Sequence, residues 1–155
     1  MVRSRGLNAI GHEGKLLLAF LLRRPDYALV ELTLLAIDRD PMLLQSVSRI
    51  LRPHRILQAT GGLLGMTLLR SGQRVDGVLA GLDLGGLSGP EVLLELSLEY
   101  PELAQRFAFL AEPSEALAME GVPILGRPPD PRALLQWCHS LAVTSPRAKI
   151  RRPHS

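Results

Sequence analysis

The chain has 155 residues, of which 46% are apolar, 21% charged and 4% aromatic. That length suits one domain with a sizeable core, packed by aliphatic rather than aromatic side chains. The longest strictly apolar run, residues 16–22, is seven residues, against the roughly 20 that a bilayer span needs.

The formal net charge of +3 is unevenly placed. Residues 1–30 carry five Lys/Arg and two acidic residues, net +3. Residues 31–143 carry nine Arg and thirteen acidic residues, net −4. Residues 144–155 carry four basic residues and no acid, net +4. The body is therefore mildly acidic, so a nucleic-acid partner is not expected, and neither is a membrane. The single cysteine, Cys138, excludes an intrachain disulfide and a multi-cysteine zinc site. Its spacing from Leu134, Leu135 and Leu141 reads as a small core residue on a helix.

In the first thirty residues, Arg3, Arg5 and Lys15 precede the apolar run and Arg23-Arg24-Pro25 follows it. No small-x-small cleavage site follows, which argues against a secretory signal. Residues 1–30 are read as an extension, helical or disordered; an over-long start also fits. The pattern becomes regular at Glu31. Residues 32–37 are apolar nearly throughout, as a strand buried on both faces should be. Asp40 caps the next helix and Pro41 suits its first position. Leu43, Leu44, Val47, Ile50 and Leu51 recur at helical spacing until Pro53.

Residues 55–59 form a second strand, and 63–69 a helix after the Gly61-Gly62 turn. Residues 75–80 form a third strand and 90–98 a third helix. Residues 107–110 form a fourth strand, and 113–119 a short helix. Residues 122–125 form a fifth strand, and 131–143 the last helix, capped by Asp130. Such alternation predicts an α/β fold with a parallel sheet and right-handed crossovers. Five units fit a flavodoxin-like, doubly wound, three-layer α/β/α arrangement, order 2-1-3-4-5. Its site lies at the carboxyl ends of the strands.

Those ends carry the informative residues. Asp76-Gly77-Val78-Leu79-Ala80-Gly81-Leu82-Asp83-Leu84-Gly85-Gly86-Leu87-Ser88-Gly89 joins a buried strand to a Gly-rich loop and a helix start. Leu34-Leu35-Ala36-Ile37-Asp38-Arg39-Asp40-Pro41 lies upstream, and Leu125-Gly126-Arg127-Pro128 downstream. Over about residues 32–143 this resembles the response-regulator receiver family, the CheY-like superfamily. That resemblance implies two acidic residues after the first strand and an acceptor aspartate after the third, together holding Mg²⁺. It also implies a Ser/Thr after the fourth strand and a Lys after the fifth, both contacting the phosphoryl oxygens. Asp38 matches the first acidic position and Arg39 replaces the second. Gly81 replaces the acceptor, Ala111 the Ser/Thr and Arg127 the Lys. Ile124 replaces the aromatic, and Pro128 matches the proline after the Lys. Gly62, Gly89, Asp40 and Pro41 match structural positions.

Each replacement bears on phosphoryl chemistry. Glycine has no nucleophile, and a cation at Arg39 opposes a dication. Arg39 is expected either to disfavour Mg²⁺ or to pair with Asp38. Ala111 has no hydroxyl, and Arg127 keeps charge without being equivalent to lysine. The expectation is a pseudo-receiver in bacterial two-component or phosphorelay signalling: cytoplasmic, not an enzyme, without cofactor. It acts by phosphorylation-independent protein contact with a histidine kinase, another signalling protein or a second copy.

The alternative is an atypical phospho-accepting regulator using Asp83, with Asp38 and Glu112 as Mg²⁺ ligands. Asp38 and Asp83 are the weak metal candidates. Gly85-Gly86 is no phosphate loop, since no Lys-Ser/Thr follows. The four histidines show no metal spacing. Leu63 and Leu64 stand at helix positions that are usually polar in the family, as does Leu94. Leu63, Leu64 and Trp137 are the partner-binding candidates. The domain is expected over residues 31–143, with a basic disordered tail at 144–155. With no output domain after residue 143, the chain reads as a stand-alone receiver or a fragment of an assembly.

Overall fold

The computed structural model describes residues 14, 30–115 and 121–144. The chain divides into two compact units, residues 31–135 and residues 1–30 with 136–155. In the first unit, strands β1 (Thr33–Ile37), β2 (Arg55–Ala59), β3 (Gly77–Gly81) and β4 (Phe107–Leu110) alternate with helices. These are α1 (Pro41–Ile50), α2 (Gly62–Arg70), α3 (Gly89–Glu99) and the four-residue α4 (Pro101–Ala104). The last helix, α5 (Pro131–Thr144), crosses the division between units.

The sheet is parallel throughout, in the order β2-β1-β3-β4. β1 and β3 are its central strands, and every residue from Leu34 to Ile37 is fully buried. Strand alternation splits the core in two. Leu35, Ile37, Val78, Ala80, Phe107 and Phe109 pack with Met66 and Leu69 of α2 and Val92 and Leu96 of α3. The Phe107 and Phe109 rings meet edge to face, 5.0 Å between centroids. Leu34, Ala36, Leu79 and Ala108 point to the other face. The crossover from β1 to the parallel β2 runs through α1, whose Leu43, Leu44 and Val47 are buried.

Local chemistry fixes the helix starts. The Asp40 carboxylate accepts the Met42 N–H at 2.9 Å, with Pro41 opening α1. Ser88 and Glu91 form a reciprocal capping box at α3. The Asp130 carboxylate accepts the Arg132 N–H at 3.1 Å.

Two strands differ from expectation. β3 starts at Gly77, because Asp76 spends its groups on β1: its N–H donates to the Thr33 carbonyl and its carboxylate accepts the Thr33 N–H. The expected fifth strand is reduced to one pairing, of Phe109 with Ile124. Phe109 N–H donates to the Pro123 carbonyl and Leu125 N–H donates to the Phe109 carbonyl, each at 2.9 Å. Pro123 has no N–H to extend the ladder, and Gly126 at φ +90° turns the chain away. Residues 113–115 form a turn, and the rest of the expected helix to 119 lies outside the described residues. Residues 1–29 and 145–155, for which an extension and a basic disordered tail are expected, also lie outside them, apart from Gly14. Among the described residues no helix is long and apolar enough to cross a membrane.

In the second unit, Trp137, Cys138, Leu141 and Ala142 of α5 are buried. Cys138 is thus the small core residue that its spacing predicts.

A pH-sensitive contact sits at the amino ends of β1 and β2. His54 Nδ1 accepts the Leu32 N–H at 3.0 Å, which requires that nitrogen unprotonated. Burial holds this imidazole below its ordinary value of 6.5, with Glu31 and Asp76 opposing. A depressed folded value means the contribution is complete above 6.5 and is lost as pH falls below it. Between about pH 7 and pH 5 the wild type should lose more melting temperature than His54→Asn. Equal losses in the two proteins would contradict this.

Candidate functional site

The carboxyl ends of β1, β3 and β4 converge with the loop after Ile124. Asp38, one residue past β1, is 1% exposed. Its Oδ1 accepts the Arg127 Nη2 at 2.8 Å and the Asp40 N–H at 2.9 Å. Its Oδ2 accepts the Arg127 Nε at 3.3 Å. The fork-on-carboxylate geometry is that of the stronger charge-assisted pairs. Gly126 makes the turn that returns Arg127 to Asp38, and the bond to Asp38 raises the arginine's pKa above its ordinary value.

Gly81 ends β3 beside this carboxylate. A Cβ built on Gly81 would stand 2.6 Å from Asp38 Oδ2 and 3.5 Å from Leu84 Cδ2. Asp38 thus occupies the space where a side chain at position 81 would begin. With no side chain there, Gly81 lets the Asp38–Arg127 pair lie against β3.

Arg39 corrects the pairing expected from sequence. It leaves Asp38 to Arg127 and turns outward, donating from Nη1 to Asp83 Oδ2 at 3.0 Å. Successive residues at a strand end point to opposite sides, so Asp38 and Arg39 diverge. Asp83 also accepts the Gly85 N–H at 3.2 Å, and both partners of the Arg39 pair are exposed. This exposed bridge is worth little to stability. Ala111 is buried at the end of β4, followed by exposed Glu112 and Glu115. These residues surround a cleft of about 440 Å³, floored by Leu110 and Ala111 and rimmed by Arg39, Asp83, Glu112, Glu115 and Arg127.

Mg²⁺ takes oxygen ligands in near-octahedral geometry. The residues present do not fit it. Asp38 already receives three N–H donors, Gly81 has no side-chain oxygen and Asp83 is turned to Arg39. Among the described residues no group of three or more His, Cys, Asp or Glu could hold a metal ion.

The partner-binding candidates separate. Leu63 is 70% exposed and Leu64 is also exposed. Trp137 is 7% exposed, so it offers little surface to a partner and is withdrawn as an anchor. The role of Arg127 was missed: sequence gives its charge, but its reach to Asp38, 89 residues away, depends on the Gly126 turn.

No protein-family model matches the chain, and no curated protein matches it. Solved structures do. A response regulator receiver domain protein from Clostridium thermocellum is 23% identical, at TM-score 0.63, covering 77% of this chain and 98% of that one. A chemotaxis response regulator of Vibrio cholerae is 18% identical, at TM-score 0.61, covering 72% and 99%. A two-component transcriptional regulator from Clostridium phytofermentans is 14% identical, at TM-score 0.67, covering 79% and 100%. The element order, the parallel sheet and these likenesses agree: the chain has the fold of the response-regulator receiver domains.

Proposed function

We propose that the chain is a receiver-like signalling module that works by protein contact, without accepting a phosphoryl group. The observation that carries this is the Asp38–Arg127 pair lying against Gly81. In a phospho-accepting receiver, the corresponding position offers a carboxylate nucleophile and oxygens for a dication. Here the remaining carboxylate is committed to an internal cation. The pair joins the end of β1 to the loop after Ile124 without a phosphoryl group. On this reading the module's output depends on whether a partner is bound.

The structural likenesses to two-component regulators support a signalling role, with a histidine kinase or another signalling protein as the class of partner. A cytoplasmic setting, the absence of a cofactor and the absence of catalysis go with this reading.

The test is a MgCl₂ titration of the full chain, followed by the amide resonances of Asp38, Gly81 and Asp83. No saturable shift at millimolar Mg²⁺ is expected. Saturable shifts at those three residues would favour the atypical regulator that uses Asp83.

A further inference from the structure

α3 places Glu91, Glu95 and Glu99 at four-residue intervals, along one side of the helix, and has no Lys or Arg. That side faces α2, whose Arg70 reaches Glu95 at 3.3 Å and also binds Glu99. Leu94 and Leu98, 61% and 76% exposed, crown the same helix one turn apart. On α2, Leu63 lies seven residues before Arg70 and so shares its α3-facing side; Leu64 is exposed next to it. The amino ends of the two helices are also adjacent, since a Cβ on Gly62 would stand 3.0 Å from Val92 Cγ2. The two helices therefore present leucines on their ridges and the Glu95 and Glu99 carboxylates against one guanidinium between them, with Glu91, held in the Ser88 capping box, adding a third negative charge at the amino end of α3.

This combination selects its occupant. An uncharged apolar partner would cover the carboxylates without supplying counter-charge. A second copy in a two-fold arrangement would bring its own acidic groove to this one, which like-charge repulsion opposes. An amphipathic helix with a leucine-rich face flanked by Lys or Arg meets both features. We propose that the α2–α3 surface docks a basic amphipathic helix of a partner protein. The proposal rests on reading the chain as a protein-contact module, and it places that contact away from the carboxyl-end cleft.

The test titrates the full chain, without Mg²⁺ or phosphodonor, with a labelled designed helix of leucine and lysine. Light scattering follows the oligomeric state. Saturable binding is expected, weakening steeply as salt rises. Leu94→Ser with Leu98→Ser should weaken it at least about tenfold, since two leucines lose their burial. Thr67→Lys, which adds a cation to the groove, should weaken it through charge alone and so gives a second readout if the serines disturb folding. Met42→Ser, at an exposed residue of α1, should leave affinity unchanged. A matched leucine–glutamate peptide should not bind.

Absence of saturable binding, unchanged affinity in both groove variants, or equal binding of the acidic peptide would overturn the proposal. So would a wild-type dimer that becomes monomeric with the two serines, because the occupant would then be a second copy. Failure here leaves the Mg²⁺ result standing, and a saturable Mg²⁺ site would leave this docking result standing.

Discussion

Gly89→Ala should destabilise the domain by about 3 kcal/mol, at the upper end of overpacking effects. Gly89 opens α3 directly against the end of β3, and its N–H donates to the Leu82 carbonyl at 2.8 Å. A Cβ there would drive into the Gly81 carbonyl oxygen and stand 3.1 Å from Phe109 Cε1. Neither neighbour yields easily: one is backbone of a central strand, the other a fully buried ring. The loss is a large fraction of the roughly 5–15 kcal/mol that holds a domain together. Denaturant unfolding should show a lower midpoint with an unchanged slope. A midpoint within error of the wild type would contradict the close approach of α3 to β3.

The second large effect concerns Gly81→Asp. The substitution places an aspartate where phospho-accepting receivers carry theirs, yet the variant should take up no phosphoryl group and should be destabilised by about 2–3 kcal/mol. The new Cβ would begin 2.6 Å from Asp38 Oδ2, an atom already fixed by Arg127. The new carboxylate would add a like charge beside buried Asp38. Uptake should require both Arg39→Asp, to supply the second acidic residue, and Arg127→Lys, to open the fork that holds Asp38. Mg²⁺-dependent uptake by the single variant would show that the Asp38–Arg127 pair does not close the site.

The fold was legible because its signals are local. The apolar runs read at residues 32–37 and 75–80 marked the central strands, Asp40-Pro41 marked the start of α1 and Gly89 that of α3, whereas the Ser88 capping box was not read. The fifth strand expected over residues 122–125 is present as a single parallel pairing, because Pro123 and Gly126 limit its ladder. α4 was not foreseen: a four-residue helix is too short to show a periodic pattern. At the site, the altered residue types could be read directly, but which arginine serves which aspartate could not. Asp38 and Arg39 are neighbours in sequence and diverge in space. Asp38 and Arg127 meet only after the sheet has formed and the Gly126 turn is made. The exposure of Leu63, Leu64 and Leu94 agreed with their unusual positions, whereas Trp137 was a matter of packing that composition does not reveal.

Whether this site accepts a phosphoryl group separates the two readings most directly, and intact-mass spectrometry of the full chain after incubation with acetyl phosphate and Mg²⁺ measures it. The unmodified mass should persist. A hydroxylamine-labile phosphoryl adduct would contradict the account, and its mapping to Asp83 would establish the exposed carboxylate as the acceptor.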